Sequence, residues 1–520
     1  MADVVLNGIS SNSPPGVYVQ LDFAQGAATQ PTQTYTAVIL ANCIAGSIGA
    51  NATAGTVFGP QTLVSLQTTQ NAINLFGAGS PAMLMYSAFI AQNKSNPVSV
   101  APVALAGGGT AASQAIAITA AGGSSQSVGV ISYSVDGKAP VQTVYGATDS
   151  ATTIAANMAA NINGQVNLPV TASAMTGTLT VTAKTVGLRG NFLRGFAQVN
   201  SGSGVTSSVS DPAFFTSGAG SDAAGYTSVL NALAASGVRY YYLIPEAGWD
   251  SVDGYANGII TLLQEQVDSL AQPAVGLRER VVCGSVDTLA HTEAVSTSIN
   301  DPRLECLTCK NLDLTPGELA ATWVSSIMLF ETPPISASGV NFDGFGQDSQ
   351  SQPFWSVPAP LDGSAPSVSD IQSAVVSGVS IMKVLQGGRT AVVKRVTSRY
   401  LTSGYLDLRI TDSGVVTVCD QFFDQLQASL VENFPRRVIG QDPVAGQPPP
   451  APGVVTPALV KNVVVGLVNQ YASSGLVNGA QVLANLIVQQ NVANPSSIGI
   501  VVPLFVNNLA HQYLVHGLQV

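Results

Sequence analysis

The chain has 520 residues, 53.0 kDa and enough apolar side chains, 46%, to bury a large core, so it is several domains long rather than one small module. Only 9% of its residues are charged, against about 25% in ordinary globular proteins, which excludes a disordered chain and predicts a surface covered by something else. A net charge of −10 removes the broad positive field on which non-specific nucleic-acid binding depends.

From Met1 to Asn93 the only charged residues are Asp3 and Asp22. The opening Met1-Ala2-Asp3 has no basic leader followed by an apolar run, which leads one to expect a chain made in a cytosol. After the breaker Ser13-Pro14-Pro15-Gly16, the residues Val17, Val19, Leu21 and Phe23 alternate with Tyr18, Gln20 and Asp22, the period-two pattern of a strand with one buried face. The run from Thr36 to Cys43 reads as a buried strand. Pro60 to Phe76 reads as a helix ending in the turn Gly77-Ala78-Gly79.

From Gly107 to about Asn191 small residues dominate, which marks an inserted module. Ile131, Tyr133 and Val135 alternate up to Asp136-Gly137, and Val141, Thr143 and Tyr145 alternate beyond it, a β-hairpin signal; a second hairpin turns at Thr176-Gly177. Between them Ile154, Met158 and Ile162 recur every four residues behind Asp149-Ser150, as in a short capped helix. The Gly/Ser-rich residues 200–210 are expected to return the chain to its main domain.

The runs Val238 to Pro245, Arg280 to Val286 and Arg303 to Cys309 are apolar strands separated by helical patterns, which predicts βαβ units and a parallel sheet. Ile259, Leu263, Val267 and Leu270 mark one crossover helix. Thr315-Pro316-Gly317-Glu318 opens another, with Thr as the cap and Glu three residues on. Lys383, Arg389, Lys394, Arg395, Arg399 and Arg409 form the single dense group of basic residues, read equally well as a patch for an acidic partner or as a solvated strand face. After the stiff Pro448 to Pro452 spacer come a helix, Thr456 to Tyr471, and a terminal segment with strand-like Ile498 to Val502 and Tyr513 to Val515. The fold class is therefore an α/β core with a mixed sheet, an inserted small α+β, β-rich domain and extended strand arms at both ends. The divisions are 1–23 for the first arm, 24–106 with 211–380 for the core, 107–200 for the insertion, 381–495 for a C-terminal domain and 496–520 for the second arm.

No catalytic constellation emerges. Cys306 and Cys309 have the spacing of a zinc or redox pair, but no second pair accompanies them, and His291, His511 and His516 lie elsewhere; buried core thiols are expected. There is no nucleophile elbow, dinucleotide fingerprint or phosphate loop. Asn341 to Asp348 departs from the calcium-loop spacing, and Glu293, Asp301 and Glu305 show no paired-acid pattern. No cofactor and no metal site is expected, and no stretch has the length of a membrane-spanning helix. The terminal strands read either as completing the chain's own sheet or as pairing with a neighbour's edge.

In order and spacing, several stretches resemble the contractile tail sheath proteins of bacteriophages, those of Mu-like phages in particular. These are Ser13 to Val19, Leu168 to Ala172, Gly187 to Asn191, Gly387-Gly388-Arg389 to Val396-Thr397, Asn433 to Arg437, and Asn494-Pro495 to Val502-Pro503. The resemblance implies a structural, non-enzymatic virion protein, assembled in the host cytoplasm, that stacks as hexameric rings around a tail tube. Contraction would drive that tube through the host envelope during genome ejection. It implies a baseplate and a tail terminator as further partners, and neither nucleic-acid binding nor membrane insertion. Strand exchange with neighbouring copies would use Val17, Tyr18, Val19, Leu21 and Phe23 at one end and Ile498, Ile500, Val502, Tyr513 and Val515 at the other. Lys461, Arg436 and Arg437 would face the tube. A tailocin-type sheath, a capsid or surface-lattice protein and an α/β enzyme with a decorative insertion are the competing readings.

Overall fold

The Thr36 to Cys43 run forms β1 (Ala37–Asn42), with every side chain buried. It can be apolar throughout because it lies inside a sheet with helices on both faces: Ala37, Ile39 and Ala41 join one core and Val38 and Leu40 the other. The further strands of this sheet are β2 (Val98–Val103), β3 (Tyr242–Pro245), β4 (Arg280–Ser285), β5 (Leu304–Thr308), β6 (Pro353–Pro358), β7 (Ser380–Val384) and β8 (Arg389–Lys394). Their order is β6-β8-β7-β5-β4-β3-β1-β2. Pairing is parallel from β2 across to β7, while β8 and β6 extend that edge antiparallel. In this computed structural model the residues described are 36–44, 69–94, 96, 98–250, 254–273, 275–309, 311–330, 335–336, 339–340, 353–360, 363–402, 405–406, 411–435, 437–443, 451 and 453–507.

Helices Pro81–Gln92 and Pro316–Phe330 cover one face of the sheet; Ala223–Ser236, Ile259–Leu270 and Leu289–Ile299 cover the other. The expected cap of the 316–330 helix is present in both directions: the Glu318 N–H donates to the Thr315 hydroxyl at 3.3 Å, and the Thr315 N–H donates to the Glu318 carboxylate at 3.4 Å. Ile259, Leu263 and Val267 are buried at their helical spacing. Of the expected Pro60 to Phe76 helix, Thr69–Phe76 is helical and 60–68 lies outside the described residues.

The insertion has its own core between two four-stranded sheets and the helix Ala151–Gly164. Both hairpin turns fall where the sequence puts them. Asp136 and Gly137 have φ of 46° and 60°, Thr176 and Gly177 have 47° and 82°, the doubly left-handed turn that suits strand twist. The far boundary differs from expectation. Residues 200–210 are not a linker: Val205–Ser207 pairs with Ala111–Ala120, Val205 is buried, and the module closes only where Thr110 meets Ala219.

The expected division at 381 also moves. It would cut the sheet between β5 and the β7–β8 hairpin, which β5 holds by parallel pairing. The C-terminal unit is built instead from helices Ser413–Asn433, Pro457–Ser473 and Gly479–Asn485 and the strands Ile487–Gln490 and Ile498–Val501. Its core includes Phe422, whose ring meets Tyr471 edge-on at 5.0 Å.

Candidate assembly interface

Ile487–Gln490 and Ile498–Val501 pair antiparallel, Ile487 opposite Val501 and Gln490 opposite Ile498. Val488, Ile498, Ile500 and Val502 pack on the core of the C-terminal unit, whereas Ile487 and Val501 are exposed. Among the described residues no third strand joins this two-stranded sheet. A two-stranded sheet with an apolar exposed pair at its open end is a template for further pairing.

Ile498, Ile500 and Val502, which the resemblance gives to strand exchange with neighbouring copies, also have contacts within their own chain. On one edge Ile498 and Ile500 are paired to their own chain, Leu504 is buried, and Val506 bridges Val477. Packing against a preformed apolar core ties the segment down as far as Asn507. Tyr513 and Val515, and at the other end Val17, Tyr18, Val19, Leu21 and Phe23, lie outside the described residues, as does Arg436. Arg437 is exposed beside the short strand Val438–Ile439, and Lys461 is exposed on the 457–473 helix.

The supposed basic patch does not share one face. Arg389 is exposed, but Arg395 is buried and forms a fork with Glu305, Nε to Oε2 and Nη2 to Oε1 both at 2.8 Å; Arg409 lies outside the described residues. Arg280 reaches the same carboxylate at 2.6 Å. Burial pushes the Glu305 carboxyl up, but Arg280 and Arg395 outweigh it and hold it below the usual range.

These groups belong to a layer of charge that fastens the C-terminal unit to the amino ends of the parallel strands. Arg303 grips Asp420 with both guanidinium nitrogens, at 3.1 and 3.0 Å. Asp424, one helical turn on, receives Arg278 and Arg239, each at 2.6 Å. Arg280 donates to the Thr417 hydroxyl at 2.6 Å and to the Ser413 carbonyl at 3.2 Å. The sequence signal was present: an arginine just before or at the start of β3, β4 and β5, and two aspartates four apart on one helix face. Their chain separations, 117 residues from Arg303 to Asp420, conceal the partnership.

At the carboxyl ends of the same strands the insertion is fastened by a second set of charges. Arg189 pairs with Asp222, lies 3.1 Å from Glu246 and bonds the side-chain oxygen of Asn42 at 3.3 Å. Arg194 reaches Asp313 at 3.3 Å, and Lys138 pairs with Glu318. The space left beside Arg189 and Glu246 is a cavity of about 30 Å³, room for a single water.

Cys306 is buried directly opposite Cys283 in the sheet, and burial pushes its thiol well above the ordinary value; Cys309 is buried too. His291 is exposed and sits 3.2 Å from Asp287, just ahead of its own helix. Among the described residues no group of three or more His, Cys, Asp or Glu is arranged to hold a metal ion, and no helix is long and apolar enough to cross a membrane. Asn341 to Asp348 lies outside the described residues.

No family model and no curated protein matches the sequence. Solved structures similar to it include the sheath tail protein of Desulfitobacterium hafniense, with 10% identity and a TM-score of 0.43 over 91% of this chain and 93% of that one. The sheath tail protein of Listeria innocua has 10% identity and a TM-score of 0.46 over 92% and 95%. The sheath complex of the extracellular contractile injection system PVC, in its contracted state, has 10% identity and a TM-score of 0.46 over 98% and 99%. Identity at this level says nothing about individual residues.

Proposed function

We propose that this chain is a structural subunit of a contractile tail sheath, which polymerises as stacked hexameric rings around a tail tube and shortens to drive that tube through a host envelope. The observation that carries the reading is the two-stranded sheet of Ile487–Gln490 and Ile498–Val501, which ends in an exposed apolar pair and has no third strand among the described residues. The sequence supplies candidate strands to fill it at both ends: the alternating Val17, Tyr18, Val19, Leu21 and Phe23, and the segment with Tyr513 and Val515. In a sheath these would come from neighbouring copies. A net backbone hydrogen bond is worth about 0.5–1.5 kcal/mol, so an added strand making roughly five of them holds copies together while the bodies move.

Two further features support a structural role over an enzymatic one. In open α/β sheets, ligands bind in the crevice at the carboxyl ends of the strands. Here Arg189, Arg194 and Lys138 of the insertion occupy that end, which keeps a small cavity beside Glu246 and, at Lys138 and Glu318, a cleft of about 390 Å³. Many of the chain's few charges are buried at internal joints, so largely neutral surfaces can pack copy against copy with little desolvation cost. Exposed Lys461 and Arg437 on the C-terminal unit are assigned to the tube side, together with Arg436. Baseplate and terminator contacts and a place in the virion complete the reading; a tailocin sheath would use the same parts. The test is polymerisation: the purified chain should form striated tubes, and a chain ending at Asn507 should keep its fold and lose them. Flat lattices would favour the surface-layer reading, and a stable monomer the enzyme.

A further inference from the structure

The turn that carries Asp136 and Gly137 sits against the core at Asp313, with Gly137 itself exposed. The Lys138 N–H closes it on the Val135 carbonyl at 2.9 Å, and a Cβ added to Gly137 would lie 3.1 Å from the Asp313 carbonyl oxygen. Asp136 itself is 2% exposed. Its Oδ1 accepts from the Arg194 N–H at 2.8 Å, while its Oδ2 is buried without a hydrogen-bond partner. A carboxylate oxygen in that position costs far more when ionised than when protonated.

The described charged groups around it come from both sides of the joint. From the insertion come Lys138 on the same turn, Arg194 on the adjoining strand and Tyr133, whose hydroxyl is also buried without a partner. From the core come Asp313, facing the Arg194 guanidinium, and Glu318, paired with Lys138. Lys310 lies outside the described residues. Among the described residues, three carboxylates therefore face two cations across the joint. A cleft of about 390 Å³ between insertion and core is walled by Lys138 and Glu318, with Met83, Leu84, Leu168 and Leu314, and gives water and protons a route to the pair.

We infer that this joint is a proton-operated latch, in which protonated Asp136 lets the insertion seat on Asp313 and Glu318, and ionised Asp136 loosens it. Burial, then the Glu318 charge and more weakly Asp313, raise the carboxyl to about 7, against the partial relief given by the Arg194 N–H and Lys138. A carboxyl whose value is higher when docked than when free favours docking as pH falls through the docked value; the gain is complete near the free value of 3.8 and is lost above neutrality. The latch does not depend on the sheath reading, since it concerns one chain.

Hydrogen exchange on the full chain tests it, with amide protection in 135–138 and 311–318 corrected for the intrinsic rate. Between about pH 6 and about pH 8.5 the opening equilibrium of these segments should rise about tenfold. Asp136→Asn keeps the oxygen that accepts from Arg194 and removes the charge, so its opening should become independent of pH. Glu318→Gln keeps the helix cap and removes the largest neighbouring charge, so it should shrink the ratio. Asp268 and Glu279 are also raised to about 7, but they sit on helix 259–270 and ahead of β4, away from the segments read. A flat parent profile, or a tenfold rise that survives in Asp136→Asn or is undiminished in Glu318→Gln, overturns the latch.

Discussion

The insertion and the C-terminal unit are fastened to opposite ends of the same parallel strands, and the two joints pair their acids differently. At the amino ends, Arg239, Arg278, Arg280, Arg303 and Arg395 meet Glu305, Asp420 and Asp424, with Glu279 and Asp301 close by. At the carboxyl ends, Lys138, Arg189 and Arg194 meet Asp136, Asp222, Glu246, Asp313 and Glu318. Guanidinium groups stay charged across the accessible pH range, so the arginine-rich joint keeps its grip wherever its carboxylates are ionised. The carboxylate-rich joint contains an acid with nothing to pair its second oxygen, and responds near neutrality. Buried ion pairs stand where the units meet, and how completely each acid is paired decides how its joint responds to pH.

The largest effect is expected at Glu305, the acid shared by Arg280 and Arg395. Glu305→Leu strands two buried cations and should lower stability by about 5 kcal/mol in urea unfolding, at the upper end for a broken buried pair. Asp420→Ala strands Arg303 alone and should cost about 3 kcal/mol by the same measurement. A smaller loss in Glu305→Leu than in Asp420→Ala would show that the arginines re-pair and that the joint is less centred on Glu305 than its geometry indicates.

Acid should separate the joints in the opposite direction from alkali. Glu305 is held below its ordinary range, so its contribution is present above the unfolded value of 4.5 and is lost as pH falls through the folded one. Protection of the 413–417 segment, held by Arg280 beside Glu305, should therefore fall in acid, while the insertion joint, already protonated at Asp136, persists to lower pH. A control away from both joints is Ser367→Ala, which removes the reciprocal cap of the exposed 368–376 helix and should cost about 1 kcal/mol in thermal unfolding. The smallest effect on the isolated chain is expected from Ile487→Lys with Val501→Glu, an opposite-charge cross-strand pair at the exposed end of the terminal hairpin. Stability should change by less than about 0.5 kcal/mol while polymerisation is lost, because charge on an open edge blocks strand addition.

Local rules made much of this fold legible. Alternation and turn chemistry located both insertion hairpins, the cap at Thr315 located its helix, and unbroken apolar runs identified β1, β3, β4 and β5 as interior strands. What escaped depends on distance along the chain. Arg395 looked like part of a surface patch because Glu305 lies 90 residues earlier, and Asp136 looked like an ordinary turn residue because Asp313 and Glu318 become its neighbours only after the insertion docks. Ile498 to Val502 carried a strand signal, but nothing local distinguishes a strand paired at home from one lent to a neighbour. The core under it, Val464, Leu467 and Val482 among others, ties it at home on one edge.

Electron microscopy of the purified chain beside a version lacking both 1–23 and 508–520 tests the assembly reading most directly. Striated tubes from the full chain, and single folded subunits with an unchanged melting temperature from the shortened one, are the predicted result. Tubes of equal length and regularity from the shortened chain would contradict it, because the open hairpin would then have no strand to receive from either end.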